Sequence, residues 1–360
     1  MRDRYMKAFV TTGHGGLDRL EYRDVPVPTP AAGEVLIEVG ACGLNNTDIW
    51  TRQGSYGTER DPNAVTTTAR KPGAFPLIQG CDIVGGIVEL GSGVPESRLD
   101  ERVIVNLVEY DENDSTVITG GIGSARAGGY AEYVAVRSVN AYAIDSPLSD
   151  AELATFPCAY LTAENMLDAA GVKEGETVLV PGASGGVGSA LLQLVAARGA
   201  RAVAVASSAK LHQVHTLEPF AAVARDEGDL IDAVREALGR DGVEVAADVV
   251  GGPQFSAVLA LLNWGGRYVT SGAIAGPVVD LDLRTVYLKR LRMIGVSLGL
   301  ARHFETVLAH IQAGRIKPLL AATYPLADLK QAQTDFLGKQ FFGNLVVVPR
   351  GAEVSAYRTD

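Results

Sequence analysis

The chain has 360 residues, and this length favours two domains because single domains usually span about 100 to 200 residues. Hydrophobic residues make up 47% of the chain and charged residues 21%, which excludes a mainly disordered protein. The formal net charge of -10 disfavours nucleic acid and anionic membranes as partners, because the average field of the protein repels polyanions.

The three cysteines, Cys42, Cys81 and Cys158, are too few and too widely spaced to predict a disulfide framework or a zinc knuckle. The first residues lack an apolar run of signal-peptide length, and no later stretch reaches about 18 uninterrupted apolar residues. We therefore expect a soluble cytoplasmic protein.

Short alternating runs broken by glycine and proline fill residues 1–149, for example at 34–39 and 102–105. Such runs indicate short strands in an all-β unit. Residues 57–74 contain two prolines and almost no large apolar residue, which predicts a long exposed loop. Such a loop is either a lid that shapes a substrate pocket or a tolerated surface insertion.

Strands and helices alternate after residue 150, and this alternation predicts a parallel sheet covered by helices. The predicted helices span residues 150–171, 186–198, 229–238 and 254–262. The predicted strands span residues 177–180, 202–206, 245–250 and 267–271. One more helix at 303–313 and a short apolar strand at 344–348 complete the pattern.

The turn after the first of these strands carries a dinucleotide-binding pattern, in which alanine replaces the first glycine of the strict fingerprint. Glycine in its second position lets the backbone approach a pyrophosphate, and glycine in its third lets the helix pack on the strand. The alternative is a glycine-rich turn that binds nothing. The residues predicted to bind the pyrophosphate are Ala183, Ser184, Gly185, Gly186, Val187 and Gly188.

The end of the second strand predicts NADP(H) as the cofactor. A site that prefers NAD normally has an acidic residue there, and residues 203–210 contain none. Ser207, Ser208 and Lys210 offer hydroxyl donors and a positive charge, which suit a 2′-phosphate. Alternatively, the serines cap the next helix and the lysine is a solvated surface charge.

Six stretches of the sequence together resemble the medium-chain dehydrogenase/reductase superfamily, and most closely its zinc-free quinone oxidoreductase-like branch. These stretches are residues 40–56, 75–94, 128–136, 156–167, 178–200 and 265–272. The resemblance implies an α/β protein with a β-rich GroES-like catalytic domain at 1–150 and 299–360. It also implies a Rossmann domain, a doubly wound parallel sheet, at 151–298. Further cofactor-binding candidates are Gly251, Ser271 and Gly272.

The same resemblance implies a cofactor and a substrate held between the two domains. It also implies a homodimer or homotetramer that joins its Rossmann sheets edge to edge.

Zinc alcohol dehydrogenases of this superfamily have cysteine, histidine and cysteine ligands at the positions of Asn45, Cys81 and Cys158. Asparagine is a poor zinc ligand, and residues 95–127 lack the cysteines of a structural zinc lobe. We therefore expect a metal-free site. The alternative is an unusual three-ligand zinc site formed by Cys81, Asp82 and Cys158.

Hydride transfer without a metal requires hydrogen-bond donors that stabilise the negative charge developing on the substrate oxygen. The candidate catalytic residues are Tyr56, Asn45 and Thr47, with Tyr56 as the acid or oxyanion donor. The alternative for Tyr56 is an exposed loop side chain that packs on the insertion.

The sequence thus predicts an NADPH-dependent reductase of a quinone, an enone or another α,β-unsaturated carbonyl, and thus a small-molecule substrate. The rival hypotheses are an alcohol dehydrogenase with an atypical zinc site and a non-catalytic redox sensor that binds NADPH.

Overall fold

The structure is a computed structural model, and it describes residues 4–56 and 74–349. Almost all of the predicted loop at 57–74 lies outside these residues. The chain forms two compact units, one of residues 1–158 and 318–360 and one of residues 159–317.

Both unit boundaries lie later than the predicted positions, 150 and 298. Residues 299–317 belong to the second unit because they pack on its helices. His303 Nε2 lies 2.9 Å from Asp168 Oδ2, and the Lys317 N–H donates to Gln193 Oε1 at 2.7 Å.

The first unit consists mainly of strands, with a few short helices among them. In chain order, residues 4–158 contain β1 (Tyr5–Thr11), β2 (Leu20–Pro26), β3 (Glu34–Gly43), α1 (Asn46–Gln53), β4 (Leu77–Ile78), β5 (Asp82–Leu90), β6 (Arg102–Val105), β7 (Val108–Tyr110), β8 (Ile118–Gly121), β9 (Tyr133–Arg137), β10 (Ala141–Ala143) and α2 (Asp150–Leu153).

The second unit alternates strands and helices. Its elements are α3 (Pro157–Ala170), which begins at the unit boundary, β11 (Thr177–Pro181), α4 (Gly186–Ala197), β12 (Arg201–Ala206), α5 (Leu211–His215), β13 (Ala221–Ala224), α6 (Leu230–Leu238), β14 (Val243–Asp248), α7 (Phe255–Ala260), β15 (Leu262–Thr270), α8 (Leu283–Leu288), β16 (Arg292–Gly295) and α9 (Ala301–Gln312). The chain then returns to the first unit with β17 (Leu320–Pro325), α10 (Leu329–Gly338) and β18 (Asn344–Val348).

The first unit is built mainly from antiparallel sheets. Its largest sheet has the order β10-β6-β5-β3-β18-β17, with β9 also paired to β3. Val35, Ile37 and Val39 alternate along β3 and are buried in one core with Ile83 and Ile87 of β5. Strand β18, near the end of the chain, lies between β3 and β17 in this sheet.

The second unit contains a six-stranded parallel sheet with the order β13-β12-β11-β14-β15-β16. Strands β12 and β13 lie on one side of β11, and the next strand in the chain, β14, lies on its other side. Ligands of such open sheets bind where the strand order reverses, at the carboxyl ends of the strands. This point lies between β11 and β14.

The sequence-based elements of the second unit are largely confirmed, with two kinds of difference. The single helix predicted at 150–171 is two helices, and the second begins at Pro157, where the missing N–H of proline suits a first helical turn. Strands β13 and β16 and the short helices α5 and α8 are not among the predicted elements. Within the described part of the chain, no helix has the length and apolar character needed to cross a membrane.

Candidate functional site

The turn between β11 and α4 leaves its backbone open to a ligand. Gly182 has a φ of +70°, which favours glycine, and a Cβ on Gly188 would lie 2.1 Å from the carbonyl oxygen of Gly182. A Cβ on Gly185 would meet that oxygen only at 3.5 Å. Gly185 also caps α4 without a side-chain acceptor for the first-turn N–H groups. The turn therefore fits a pyrophosphate group.

The loops after β14 and β15 open at the same edge of the sheet. Gly251 has a φ of +59°, and its N–H donates to Asp248 Oδ1 at 3.2 Å. Asp248 also accepts a hydrogen bond of 2.8 Å from the hydroxyl of Tyr268 in β15. Ser271 and Gly272 directly follow β15. All of the predicted cofactor residues thus lie at the carboxyl ends of parallel strands.

The loop after β12 contains an interaction that sequence reasoning missed. The N–H and the hydroxyl of Ser208 donate to the two carboxylate oxygens of Asp226, at 2.8 and 3.2 Å. These bonds lower the pKa of Asp226. The segment 203–210 has no acidic residue of its own, but the end of β13 brings one beside it. Strand β13 is four residues of alanine and valine without alternation, so no sequence signal could have placed Asp226 at this edge.

In the first unit, Asp82 at the start of β5 joins residues that are distant in the sequence. Its Oδ2 accepts a 2.9 Å hydrogen bond from the amide of Asn45, and its Oδ1 accepts one of 2.8 Å from the N–H of Cys158. The second partner of the Asn45 amide is Cys81 Sγ, at 3.6 Å. Burial raises the pKa of Asp82 to about 7, against the opposing effect of Asn45.

A second buried carboxylate, Asp48, fixes the start of α1. Its Oδ2 accepts hydrogen bonds from the N–H of Asn45 at 2.9 Å and from the hydroxyl of Tyr130 at 2.6 Å. An acidic residue three positions after the cap is the returning half of a capping box. Burial raises the pKa of Asp48 to about 6. Asp48 thus holds the turn that carries Asn45 and Thr47.

Tyr56 also lies beside this turn. Its hydroxyl donates to Thr47 Oγ1 at 3.2 Å, and its ring packs edge-on against Trp50 with centroids 5.8 Å apart. The side chain is 42% exposed. The structure therefore brings Tyr56 beside Thr47 in the first turn of α1, while Asn45 caps this helix and contacts Asp82 and Cys81.

The donor atoms of Cys81, Asp82 and Cys158 all lie within 4.8 Å of one another. Two thiolates and a carboxylate are an acceptable ligand set for zinc, so these residues fit a three-ligand site. A hydrogen bond with Cys158 and burial raise the pKa of the Cys81 thiol, and this opposes formation of the thiolate that a metal requires.

Two family models match the chain. The alcohol dehydrogenase GroES-like domain matches residues 31–146, and the zinc-binding dehydrogenase domain matches residues 186–313. Quinone oxidoreductase of Rattus norvegicus is 31% identical over 346 residues, which cover 93% of this chain and 94% of that protein. The chain belongs to the medium-chain dehydrogenase/reductase superfamily. Within that superfamily it is quinone oxidoreductase-like, as predicted.

Other members of the superfamily show the same full-length similarity. Acryloyl-coenzyme A reductase of Metallosphaera sedula is 30% identical over 356 residues, covering 95% of this chain and 99% of that protein. A structure from Sinorhizobium meliloti 1021, provisionally named an alcohol dehydrogenase, is 51% identical with a TM-score of 0.92, covering 96% of this chain and 97% of that one. The protein is therefore an oxidoreductase, and a pyridine nucleotide is the cofactor expected for its superfamily.

Proposed function

We propose that the protein is an NADPH-dependent reductase that transfers a hydride, without a metal, to a quinone, an enone or another α,β-unsaturated carbonyl. The observation that carries this proposal is the open glycine turn at 182–188, which lies where the strand order of a parallel sheet reverses. The names of the relatives, quinone oxidoreductase and acryloyl-coenzyme A reductase, favour an unsaturated substrate.

The second unit would hold the cofactor. Residues 183–188 would hold its pyrophosphate through the backbone N–H groups of Ser184 and of the first turn of α4. The N–H groups of Ala183 and Gly185 instead donate to the carbonyls of Val205 and Gly182 and shape the turn. Gly251, Ser271 and Gly272 would border the same edge. Ser207, Ser208 and Lys210 would lie at the adenosine end. When bound, the nicotinamide supplies the hydride.

The first unit would stabilise the product charge. Reduction of a conjugated C=C bond places negative charge on the carbonyl oxygen. The Tyr56 hydroxyl, which donates to Thr47 in the structure, would turn its one proton toward the carbonyl oxygen while Thr47 donates to the phenol oxygen in exchange. The Tyr56 side chain is partly exposed and so is accessible to an incoming ligand. The Asn45 amide already donates to Asp82 and Cys81, so we assign Asn45 a positioning role.

The direct test measures NADPH oxidation by chelator-treated protein with a panel of quinones, enones and enoyl thioesters. We expect turnover of at least one of these classes and no dependence on added metal. Tight NADPH binding with no turnover of any acceptor would instead favour a redox sensor.

The metal-ligand geometry supports a second candidate, an alcohol dehydrogenase with zinc bound by Cys81, Asp82 and Cys158. Zinc bound there would polarise an alcohol or carbonyl oxygen as a Lewis acid. Metal analysis of the purified protein separates the two candidates. Stoichiometric zinc together with alcohol oxidation that a chelator abolishes would favour the second.

We also propose that the protein is a homodimer or homotetramer joined through the β16 edge of the parallel sheet. Large apolar side chains on β16 and α8 are exposed, including Met293 at 42%, Leu283 at 67% and Leu288 at 66%. An edge strand with exposed apolar neighbours is a surface that a second copy can extend across a two-fold axis.

Light scattering after gel filtration tests the assembly. Leu288→Glu should dissociate the oligomer, whereas the control Leu99→Glu, at an exposed position of the first unit, should leave it intact. A monomeric wild-type protein would contradict this proposal.

A further inference from the structure

Two of the three free cysteines, Cys81 and Cys158, meet at the start of β5. Their sulfur atoms lie within 4.8 Å of each other, and a hydrogen bond joins the two thiols. The third cysteine, Cys42, is fully buried, and its Sγ donates to the carbonyl of Gly43 at 3.8 Å. Cys81 and Cys158 are therefore placed as a pair.

The backbone on either side of this pair is held by hydrogen bonds. Asp82 directly follows Cys81, and its Oδ1 accepts the N–H of Cys158 at 2.8 Å. Gly80 directly precedes Cys81, and its carbonyl accepts the N–H of Gly129 at 2.8 Å. The two cysteines are thus held side by side. Rotation of their side chains is the movement that would bring the sulfur atoms to the separation of about 2.05 Å found in a disulfide.

The two thiols differ in their access to solvent. Cys158 is partly exposed in the first turn of α3, whereas Cys81 is only 2% exposed. Cysteines that respond to oxidants are typically accessible to solvent and stand next to a second cysteine that resolves the oxidised sulfur. A dissolved oxidant would therefore react first with Cys158, and Cys81 is the resolving thiol.

We propose that Cys81 and Cys158 are a redox modification site, which a hydroperoxide oxidises to an intramolecular disulfide. The Cys158 sulfur attacks the peroxide and breaks its O–O bond, which leaves a sulfenic acid on Cys158 and releases an alcohol, or water where the oxidant is hydrogen peroxide. The Cys81 sulfur then attacks the sulfenic sulfur. The S–O bond breaks, and the hydroxyl leaves as water with the Cys81 proton. Two electrons pass from the thiol pair to one peroxide, and an external dithiol reverses the change.

Oxidation would change the surroundings of the pair in two ways. The candidate zinc site would lose both of its sulfur ligands, because a metal requires thiolates and a disulfide offers none. The sulfur that accepts the Asn45 amide at 3.6 Å would also move. Disulfide formation requires no nucleotide and no carbonyl acceptor, so it is independent of the proposed reductase.

Thiol counting by mass spectrometry tests the site. Purified protein is freed of any bound metal with a chelator, treated with a small excess of hydrogen peroxide, denatured, and alkylated with N-ethylmaleimide without reductant. Wild-type protein should lose two of its three alkylatable thiols, and dithiothreitol should restore them. Digestion of the oxidised protein should release a linked pair of peptides that contain Cys81 and Cys158.

Three variants assign the steps. Cys42→Ala is the matched control and should lose both of its remaining thiols, as the wild type loses the same two. Cys81→Ser should form no disulfide and should keep a sulfenic acid on Cys158 that dimedone traps. Cys158→Ser should keep both thiols, because the two that remain are buried. Melting temperatures confirm that each variant is folded.

Retention of all three thiols by the folded wild-type protein in a large excess of peroxide would overturn the proposal. A disulfide that includes Cys42, or one that links two copies of the chain, would overturn it as well. The same holds if Cys158 of the wild type is oxidised to a sulfinic acid while the Cys81 thiol remains free.

Discussion

The two candidate sites of this protein are made from different parts of the chain. In the second unit, the glycine turn at 182–188 offers backbone N–H groups, and its shape depends on the absence of side chains. In the first unit, side chains from separate segments meet around two buried carboxylates: Asn45 donates to Asp82, and Tyr130 donates to Asp48. A substitution in the glycine turn should therefore act by steric exclusion. A substitution among the side chains of the first unit should act through charge or hydrogen bonding.

The difference also determines how each site responds to pH. The glycine turn contains no titratable side chain, so its geometry does not depend on protonation. The first unit buries Asp48 and Asp82, and burial raises the pKa values of both carboxyl groups. We therefore expect pH to alter the first unit more than the turn.

The largest effect is expected for Gly188→Ala. The added Cβ would lie 2.1 Å from the Gly182 oxygen and 2.7 Å from its carbonyl carbon, and these backbone atoms cannot move independently. The free energy of unfolding should fall by about 3 kcal/mol, and nucleotide binding should be lost. Gly338→Ala is the control, since a Cβ there meets no atom within 4 Å. Equal stability of the two variants in denaturant titrations would contradict the steric account.

Asp48→Asn tests the electrostatic side of the comparison. The folded-state pKa of about 6 lies above the ordinary value of 3.8, so the folded protein binds the extra proton. Wild-type stability relative to Asp48→Asn should therefore fall by up to about 3 kcal/mol as pH rises from about 4 to 7.

Denaturant titrations across this pH range measure that difference. Asp114→Asn is the control, because the hydrogen bonds of Thr116 lower the pKa of this exposed carboxylate and should give a slope of opposite sign. A pH-independent difference between wild type and Asp48→Asn would show that Asp48 titrates normally.

Tyr56→Phe separates catalysis from folding in the first unit. Loss of one oxyanion donor should lower kcat about 100-fold, or about 2.7 kcal/mol in activation free energy. The melting temperature should not change, because the side chain is partly exposed. Steady-state kinetics with the best acceptor measures the effect, and Tyr5→Phe, at another exposed position, is the control. An unchanged kcat would assign Tyr56 a surface role.

The smallest effect is expected for Gly185→Ala. Its Cβ would make an ordinary contact of 3.5 Å, so the fold should tolerate it. The methyl group would occupy the space through which the pyrophosphate approaches, and NADPH affinity should fall about tenfold. Titration of the folded variant measures this change, and unaltered affinity would place the pyrophosphate elsewhere.

The sequence was sufficient to predict the strand, the glycine turn and the helix of the candidate dinucleotide site, because these parts are contiguous. Strand β11, the glycine turn and helix α4 follow one another, and the predicted helix at 186–198 differs from Gly186–Ala197 by one residue. The strand predicted at 344–348 is also confirmed at both ends. Such local patterns need no knowledge of tertiary contacts.

The side-chain site was predictable only in part. The motif Asn45-x-x-Asp48 has the spacing of a capping box, and this pattern could have predicted the missed helix α1. The bond between Asn45 and Asp82 joins residues 37 positions apart, which no local pattern reveals. Strand β13 is only four residues of alanine and valine without alternation, so the position of Asp226 beyond it was not predictable.

The most direct test of the account is titration of the wild-type protein with NADPH and with NADH, followed by fluorescence or calorimetry. We expect saturable binding of both dinucleotides, with NADPH favoured at least about tenfold, or about 1.4 kcal/mol. Absence of saturable binding of either nucleotide at millimolar concentration would contradict the assignment of the glycine turn. A preference for NADH would contradict only the assignment of the 2′-phosphate.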